Sequence, residues 1–237
     1  DENSFVSTKH PESMANLSDP KRVESNMDSL CNLETIFGSK YFNTRIPLPA
    51  KNNGSWYTSQ SDYNKNYTRS YSNHTFVNDA IMQPVFYNES LSGTAAGDIT
   101  GNKEALKIMS QRYPGYEFCE IDVREFDGFG GAIHCITKQI PAENPIRIYH
   151  DPIRWWNTSN SGNAPTYRVI AQNRSGIETA SIYYRTSNQT EWQQLDLTAD
   201  EGNMFTGIIN LPQTNRDTLQ YYISATSNNG KTITKPM

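Results

Sequence analysis

The sequence predicts an α/β (α+β) first domain followed by an all-β sandwich. Three observations carry this reading. Between residues 70 and 137, short apolar runs of strand character surround one stretch of helical period. From residue 166 onward the pattern is strand throughout, with turn residues about every 8–15 positions, the spacing of a sandwich. Between the two, residues 157–165 (Asn-Thr-Ser-Asn-Ser-Gly-Asn-Ala-Pro) have the composition of a linker. The expected division is residues 1–156, a linker over 157–165, and a sandwich over 166–237.

The elements follow in chain order. Residues 1–70 are polar and read as irregular, with one amphipathic helix over residues 25–37 that would place Met27, Leu30, Cys31, Leu33 and Phe37 on one face. Residues 70–86 read as two short strands around a turn at Asn78-Asp79. Asn102 can cap a helix over residues 103–112, with Ala105, Leu106, Ile108 and Met109 as its apolar positions and Tyr113-Pro114-Gly115 as its stop. A strand is expected over residues 116–123, then a turn at Gly128-Phe129-Gly130-Gly131, then a buried segment over 132–137. A short strand over 146–149 ends this part. The sandwich strands are expected over 166–172, 179–186, 193–197, 204–210 and 219–226.

Composition narrows the function. Fourteen tyrosines in 237 residues suit pleated, half-buried surfaces. A net charge of −4 with both signs interspersed lacks the basic stripe of a nucleic-acid binder. No stretch approaches the ~18 apolar residues of a membrane-spanning helix. No acidic cluster has the spacing of a calcium loop, so no metal and no cofactor is expected. The three cysteines, Cys31, Cys119 and Cys135, cannot all pair within the chain, so at least one thiol is free.

Cys135 stands out among them. It follows Gly130-Gly131, and glycines let a backbone pass close to a ligand. By periodicity alone it would be a buried structural thiol. If the segment is extended, His134 and Cys135 point to opposite faces. The proton partner of Cys135 would then come from elsewhere in the fold. Cys31 reads as a small core residue, and His74 and His150 as strand-surface and loop residues.

Residues 130–139, Gly-Gly-Ala-Ile-His-Cys-Ile-Thr-Lys-Gln, resemble the Gly-Gly-x-Ile-His-Cys-x-Thr-x-Gln element of agmatine deiminases and bacterial peptidylarginine deiminases, members of the pentein (guanidine-modifying) superfamily. Ser70-Tyr71-Ser72-Asn73, Asn78 and Pro84-Val85-Phe86 resemble the upstream Tyr-x-Asn, Asn, Val-Pro element. Tyr113-Pro114-Gly115-Tyr116-Glu117 resembles the Met-Pro-Gly-Tyr-Glu element between them. Order and spacing agree for all three. Residues 219–230 resemble the last strands of the immunoglobulin-like domain that follows the catalytic domain in the Porphyromonas-type secreted enzymes.

The resemblance implies part of a pentein α/β-propeller followed by an immunoglobulin-like sandwich. It implies a deiminase that converts a guanidinium of peptidyl or free arginine to a ureido group plus ammonia. Cys135 would be the nucleophile, Asn73 an active-site residue, and His134 a supporting residue. It also implies a secreted or cell-surface bacterial location. Agmatine deiminase-like activity is the alternative, as is a non-catalytic surface binding protein with a degenerate pentein domain. The family's catalytic His-x-Asp element and a second guanidinium-binding Asp have no match here. His10-Pro11-Glu12 comes nearest, and it reads as a loop. The chain alone is therefore expected to be inactive, its missing half lying in the same protein or on another chain.

Overall fold

The computed structural model describes residues 3–51, 55–66, 69–86, 99–125, 131–140, 142–153, 164–210 and 218–236. The chain forms two compact units, Ser4–Gln139 and Asp1–Asn3 with Ile140–Met237. No helix among the described residues is long and apolar enough to cross a membrane.

The first unit opens with β1 (Ser4–Lys9), α1 (Ser18–Cys31) and β2 (Phe42–Pro47). β1 and β2 pair in parallel from Ser4↔Phe42 to Lys9↔Pro47. A parallel pair needs a crossover, and the chain segment carrying α1 supplies it. The described part of residues 1–70 thus carries regular elements where the sequence reads as irregular. The strands escape the periodic pattern because Thr44, a polar residue, takes an inward position beside Ile46. The helix expected over 25–37 lies earlier. Pro20 is tolerated in its first turn, and it is the residue α1 buries. Leu30, Leu33 and Ile36 are instead 40%, 55% and 58% exposed, and only Phe37 of the expected apolar face is buried. Beyond β2, α2 (Gln60–Asn66) brings Tyr63 against a small cluster of Met14, Leu48 and Tyr57.

β3 (Thr75–Val77) and β4 (Ala80–Val85) form the expected hairpin, with Asn78 at φ +55° in the turn. Asn tolerates this left-handed region better than most residues. α3 (Ile99–Arg112) then crosses over to β5 (Glu117–Asp122), which runs parallel to β4 from Ala80↔Glu117 to Val85↔Asp122. α3 starts before Asn102, which therefore does not cap it. Asn102 is fully buried inside the helix, and its Oδ1 accepts the Phe86 backbone N–H at 3.0 Å. Gly115, at φ +84°, follows the helix as the expected stop. The core of this unit includes Ile46, Tyr71, Ile81, Phe86, Met109 and Ile133. The turn expected at Gly128-Phe129-Gly130 lies outside the described residues. The segment after it, read as a possible strand, forms one helical turn, α4 (Ile133–Ile136).

The second unit has two four-stranded sheets. One holds β6 (Arg147–His150), β7 (Thr166–Gln172), β10 (Thr198–Ala199) and β11 (Met204–Ile208), in the order β10-β11-β7-β6. The other holds β8 (Ile177–Thr186), β9 (Gln193–Asp196), β12 (Leu219–Ser227) and β13 (Thr232–Pro236), in the order β13-β12-β8-β9. All pairings are antiparallel. Val169 and Phe205 from the first sheet and Ile182 and Ile223 from the second share one core, so the unit is a two-layer β sandwich.

One boundary differs from expectation. β6 pairs with β7 from Arg147↔Gln172 to His150↔Val169. Residues 140–153 therefore belong with the sandwich and not with the first domain. Residues 157–163 of the expected linker lie outside the described residues.

Candidate active site

The site is built where two short segments meet. The first is the turn before β3. Tyr71 is fully buried and packs edge-on against Phe86, ring centroids 5.3 Å apart. The buried Gln83 of β4 donates from Nε2 to the Tyr71 carbonyl at 2.8 Å. Ser70 Oγ accepts the Ser72 N–H at 3.1 Å, and the Ser70 carbonyl accepts the Asn73 N–H at 3.4 Å. Tyr71 thus anchors the turn while Asn73 is held at its outer end.

The second segment is α4. Ala132 and Ile133 are buried in the core and fix its start. His134, Cys135 and Ile136 then face outward. This corrects the reading of Cys135 as a buried thiol: it is free and exposed. Cys119 is also free and exposed, and Cys31 is free and half-buried, not a core residue.

Asn73 joins the two segments through both ends of its amide. Its Oδ1 accepts the backbone N–H of His134 at 2.8 Å and that of Cys135 at 3.4 Å. Its Nδ2 donates to Cys135 Sγ at 2.9 Å. The Asn73 carbonyl also accepts the His134 N–H, at 3.3 Å. The acceptor end of the side chain is thereby committed, and the donor end is directed at the sulfur. That contact fixes where the sulfur stands relative to the turn before β3.

Three further residues hold this arrangement, and the sequence reading had not singled them out for it. A Cβ at Gly131 would lie 2.4 Å from Cys135 Cβ and 2.9 Å from its Sγ. Gln139 Nε2 donates to Thr75 Oγ1 at 2.8 Å and to the Phe76 carbonyl at 2.9 Å, which ties the chain after Cys135 to β3. His74, half-buried and edge-on to Phe76 at 5.4 Å, follows Asn73 directly and precedes β3. Burial pushes the His74 ring below the usual histidine range; the Tyr71 carbonyl opposes this, and the nearby His134 adds to it. The signal for Gln139 was its place at the end of the 130–139 element, and for His74 its adjacency to Asn73.

His134 contributes its backbone N–H to Asn73, while its side chain is exposed. Because α4 is helical, His134 and Cys135 are about 100° apart around its axis and not on opposite faces of a strand. His10 lies just past β1, where its Nε2 is 3.2 Å from the Tyr63 hydroxyl and its Nδ1 is 3.6 Å from Glu24 Oε1. Burial lowers its pKa, against the raising effect of Glu24. Among the described residues, no group of three or more His, Cys, Asp or Glu is gathered as a metal-binding set.

The family model for Porphyromonas-type peptidyl-arginine deiminase matches residues 4–141. A Legionella pneumophila protein described as a candidate agmatine deiminase is 33% identical over 79 residues, 33% of this chain and 20% of that protein. An agmatine deiminase of Medicago truncatula is 38% identical over 74 residues, 31% of this chain and 17% of that protein. The chain thus spans about a fifth of the length of these relatives. A solved structure of a candidate arginine deiminase from Porphyromonas gingivalis aligns with a TM-score of 0.44 at 19% identity, covering 60% of this chain and 35% of that one. The family match takes in more than half of the chain, including Asn73 and Cys135, and on that ground the chain belongs to the Porphyromonas-type peptidyl-arginine deiminase family.

Proposed function

We propose that this chain carries the nucleophile of a guanidino-group deiminase acting on peptidyl or free arginine. The observation that carries the proposal is the 2.9 Å contact from Asn73 Nδ2 to Cys135 Sγ, made by a side chain whose other end binds the backbone of the nucleophile's own turn. A guanidinium carbon is a weak electrophile because three nitrogens share its charge. A thiolate is needed, and it must be held still. Cys135 Sγ attacks the carbon, the C–S bond forms, and one C–N bond breaks to release ammonia, protonated by a general acid. Water then adds to the thiouronium carbon and the C–S bond breaks, leaving a ureido group and the free thiol. Asn73 orients the sulfur, and His134 supports the turn through its backbone.

The sequence holds no His-x-Asp element. The 237 residues alone are therefore expected to form no ureido product from an arginine peptide. Guanidinium capture by Cys135 is testable separately. 2-Chloroacetamidine carries an amidinium that mimics the guanidinium, and 2-chloroacetamide is its neutral counterpart. Peptide mapping after limited alkylation is expected to show the amidine preferring Cys135 over the exposed Cys119 by about tenfold, a preference lost in Asn73→Ala. Equal labelling of both cysteines by the amidine would sink the proposal. Agmatine is the second substrate reading, favoured by the names of the matched relatives.

The finer architecture belongs to the same proposal. The orders β6-β7-β11-β10 and β13-β12-β8-β9 correspond to strands A-B-E-D and G-F-C of an immunoglobulin-like sandwich with one added strand beside C, which supports that assignment. The parallel β4–α3–β5 unit with its attached hairpin supports reading the first unit as part of a pentein propeller. A secreted or cell-surface location accompanies these assignments.

A further inference from the structure

We infer that the outer face of the β13-β12-β8-β9 sheet is a surface through which two copies of this chain associate about a two-fold axis. Side chains on β8 and β12 divide by parity. Ile182, Tyr221 and Ile223 enter the core, so Tyr183, Arg185, Gln220 and Tyr222 stand on the opposite face. There Tyr183 and Tyr222, direct cross-strand partners, stack with centroids 4.9 Å apart and 6° between their rings. Trp192 meets Tyr222 edge-on at 5.0 Å and is 40% exposed. The Arg185 guanidinium lies over Trp192, 4.4 Å from the ring centroid. Clustered Trp, Tyr and Arg are the residues from which protein interfaces draw most of their binding energy.

The charges on this face specify the partner. Arg185 is already oriented: Nε donates to Gln220 Oε1 at 2.9 Å and Nη1 to the Thr190 carbonyl at 3.0 Å, which leaves Nη2 without a partner among the described residues. Toward the other end, Asp196 on β9 lies opposite Ser181. Its Oδ1 accepts from Ser181 Oγ at 2.8 Å and from Gln194 Nε2 at 2.7 Å, and its Oδ2 is left unpaired among the described residues. The row Gln194–Tyr183–Tyr222 lies midway between these two poles. Arg185 is two residues away along β8, and the Asp196–Ser181 pair is two residues the other way, about 6.6 Å each.

A two-fold axis through that row, in the plane between two facing copies, places Arg185 of each copy over Asp196 of the other. The same operation sets the aromatic stack of one copy against that of its mate, as a self-complementary isologous contact requires. The unpaired Nη2 and Oδ2 then meet twice. The face measures about 14 Å across by about 30 Å along the strands, or about 400 Å² per copy, which belongs with weak, reversible associations. A dissociation constant of roughly 10–100 µM is expected.

Sedimentation velocity on the full chain, from 5 to 500 µM in reductant so that exposed thiols do not crosslink, tests this. The wild type is expected to dimerise in that range. R185D, which sets Asp against Asp at both poles, should raise the dissociation constant at least tenfold. The swapped double variant R185D/D196R should return it to within about threefold of wild type, with circular dichroism verifying the fold of each. A wild type that stays monomeric at 500 µM overturns the inference, as does a dimer indifferent to R185D or a double variant no better than the single. Those outcomes would leave the face to a different partner, such as a saccharide or another protein.

Discussion

Gly131 has no room for a side chain, because Cys135 already occupies the space where its Cβ would stand. Neither contact is with a flexible chain end: both atoms belong to a short side chain fixed to the α4 turn. Gly131→Ala must therefore displace that turn, at a cost of about 1–3 kcal/mol, the range for added volume in a packed site. Adding Cys135→Gly removes the clashing atoms, so the double variant should regain at least half of the lost stability. Urea titration of the four proteins of this cycle checks it; simple additivity of the two substitutions would refute the account. The glycine pair was legible in the sequence as a sign of close approach, but the approaching group was read as a ligand. At Gly131 the approaching group is the cysteine itself. Asn73 was singled out in the sequence only through the resemblance; in the structure the turn from Ser70 delivers the amide that reaches Sγ. Gln139 was legible as the last residue of the 130–139 motif, but its bonds to Thr75 and Phe76 were not, because those residues are 64 and 63 positions away; the lowering of His74 depends on burial that no local pattern encodes.

At the scale of elements, Asn102 shows how a helix boundary misleads. An Asn before an apolar period looks like a cap, yet here α3 begins three residues earlier and the side chain turns inward to the end of β4. It satisfies the Phe86 N–H at the end of the strand. Asn102→Leu keeps the approximate volume and leaves that buried donor unpaired, but it also removes Asn102 Nδ2, a buried donor with no partner among the described residues, so the net cost falls to about 1 kcal/mol, the low end for an unpaired buried group. The expected result is that loss in urea titration of the first unit, with faster hydrogen exchange at Phe86; unchanged exchange there would show that the bond is not what ends β4. The β3–β4 hairpin was placed correctly because its signal is local, an Asn at a position that needs positive φ. β1 and β2 were not, because their parallel partners lie 38 residues apart, from Ser4↔Phe42 onward, and the strands carry polar residues inward. α1 shifted because Leu30 near its end and Leu33 just past it are exposed, so the helical period in the sequence did not mark a buried face.

The division of the whole molecule was legible in outline, since the change from mixed to all-strand pattern is a change of period. Its boundary was not, because β6 precedes the Asn- and Ser-rich linker and joins the sandwich only by pairing across it. That pairing buries His150 between the two sheets. Its Nδ1–H donates to the Arg168 carbonyl and its Nε2 accepts from the Tyr221 hydroxyl, each at 2.9 Å, and its ring stacks on Tyr167. Both nitrogens are satisfied in the neutral ring, and burial, opposed by the Arg168 carbonyl, pushes its pKa down from 6.5 to about 4. Burial also pushes Tyr167 up to about 12, so that neighbour stays neutral throughout the relevant range. Between pH 6.5 and about 4 the unfolded chain takes up a proton at this position and the folded chain does not. Stability is therefore fully present above pH 6.5 and falls as the pH drops, until the folded ring protonates near 4. The loss amounts to on the order of 3 kcal/mol. His10 and His74 are lowered in the same direction, so the first unit also weakens in acid, and the two units must be followed separately. Urea titrations read by pulsed hydrogen exchange in peptides from β7 and β12 isolate the sandwich. The wild-type sandwich should lose about 3 kcal/mol more between pH 7 and pH 4 than His150→Gln, which can keep a donor and an acceptor but does not titrate. If the two proteins show parallel pH profiles, His150 is not the group that couples the sandwich to acid.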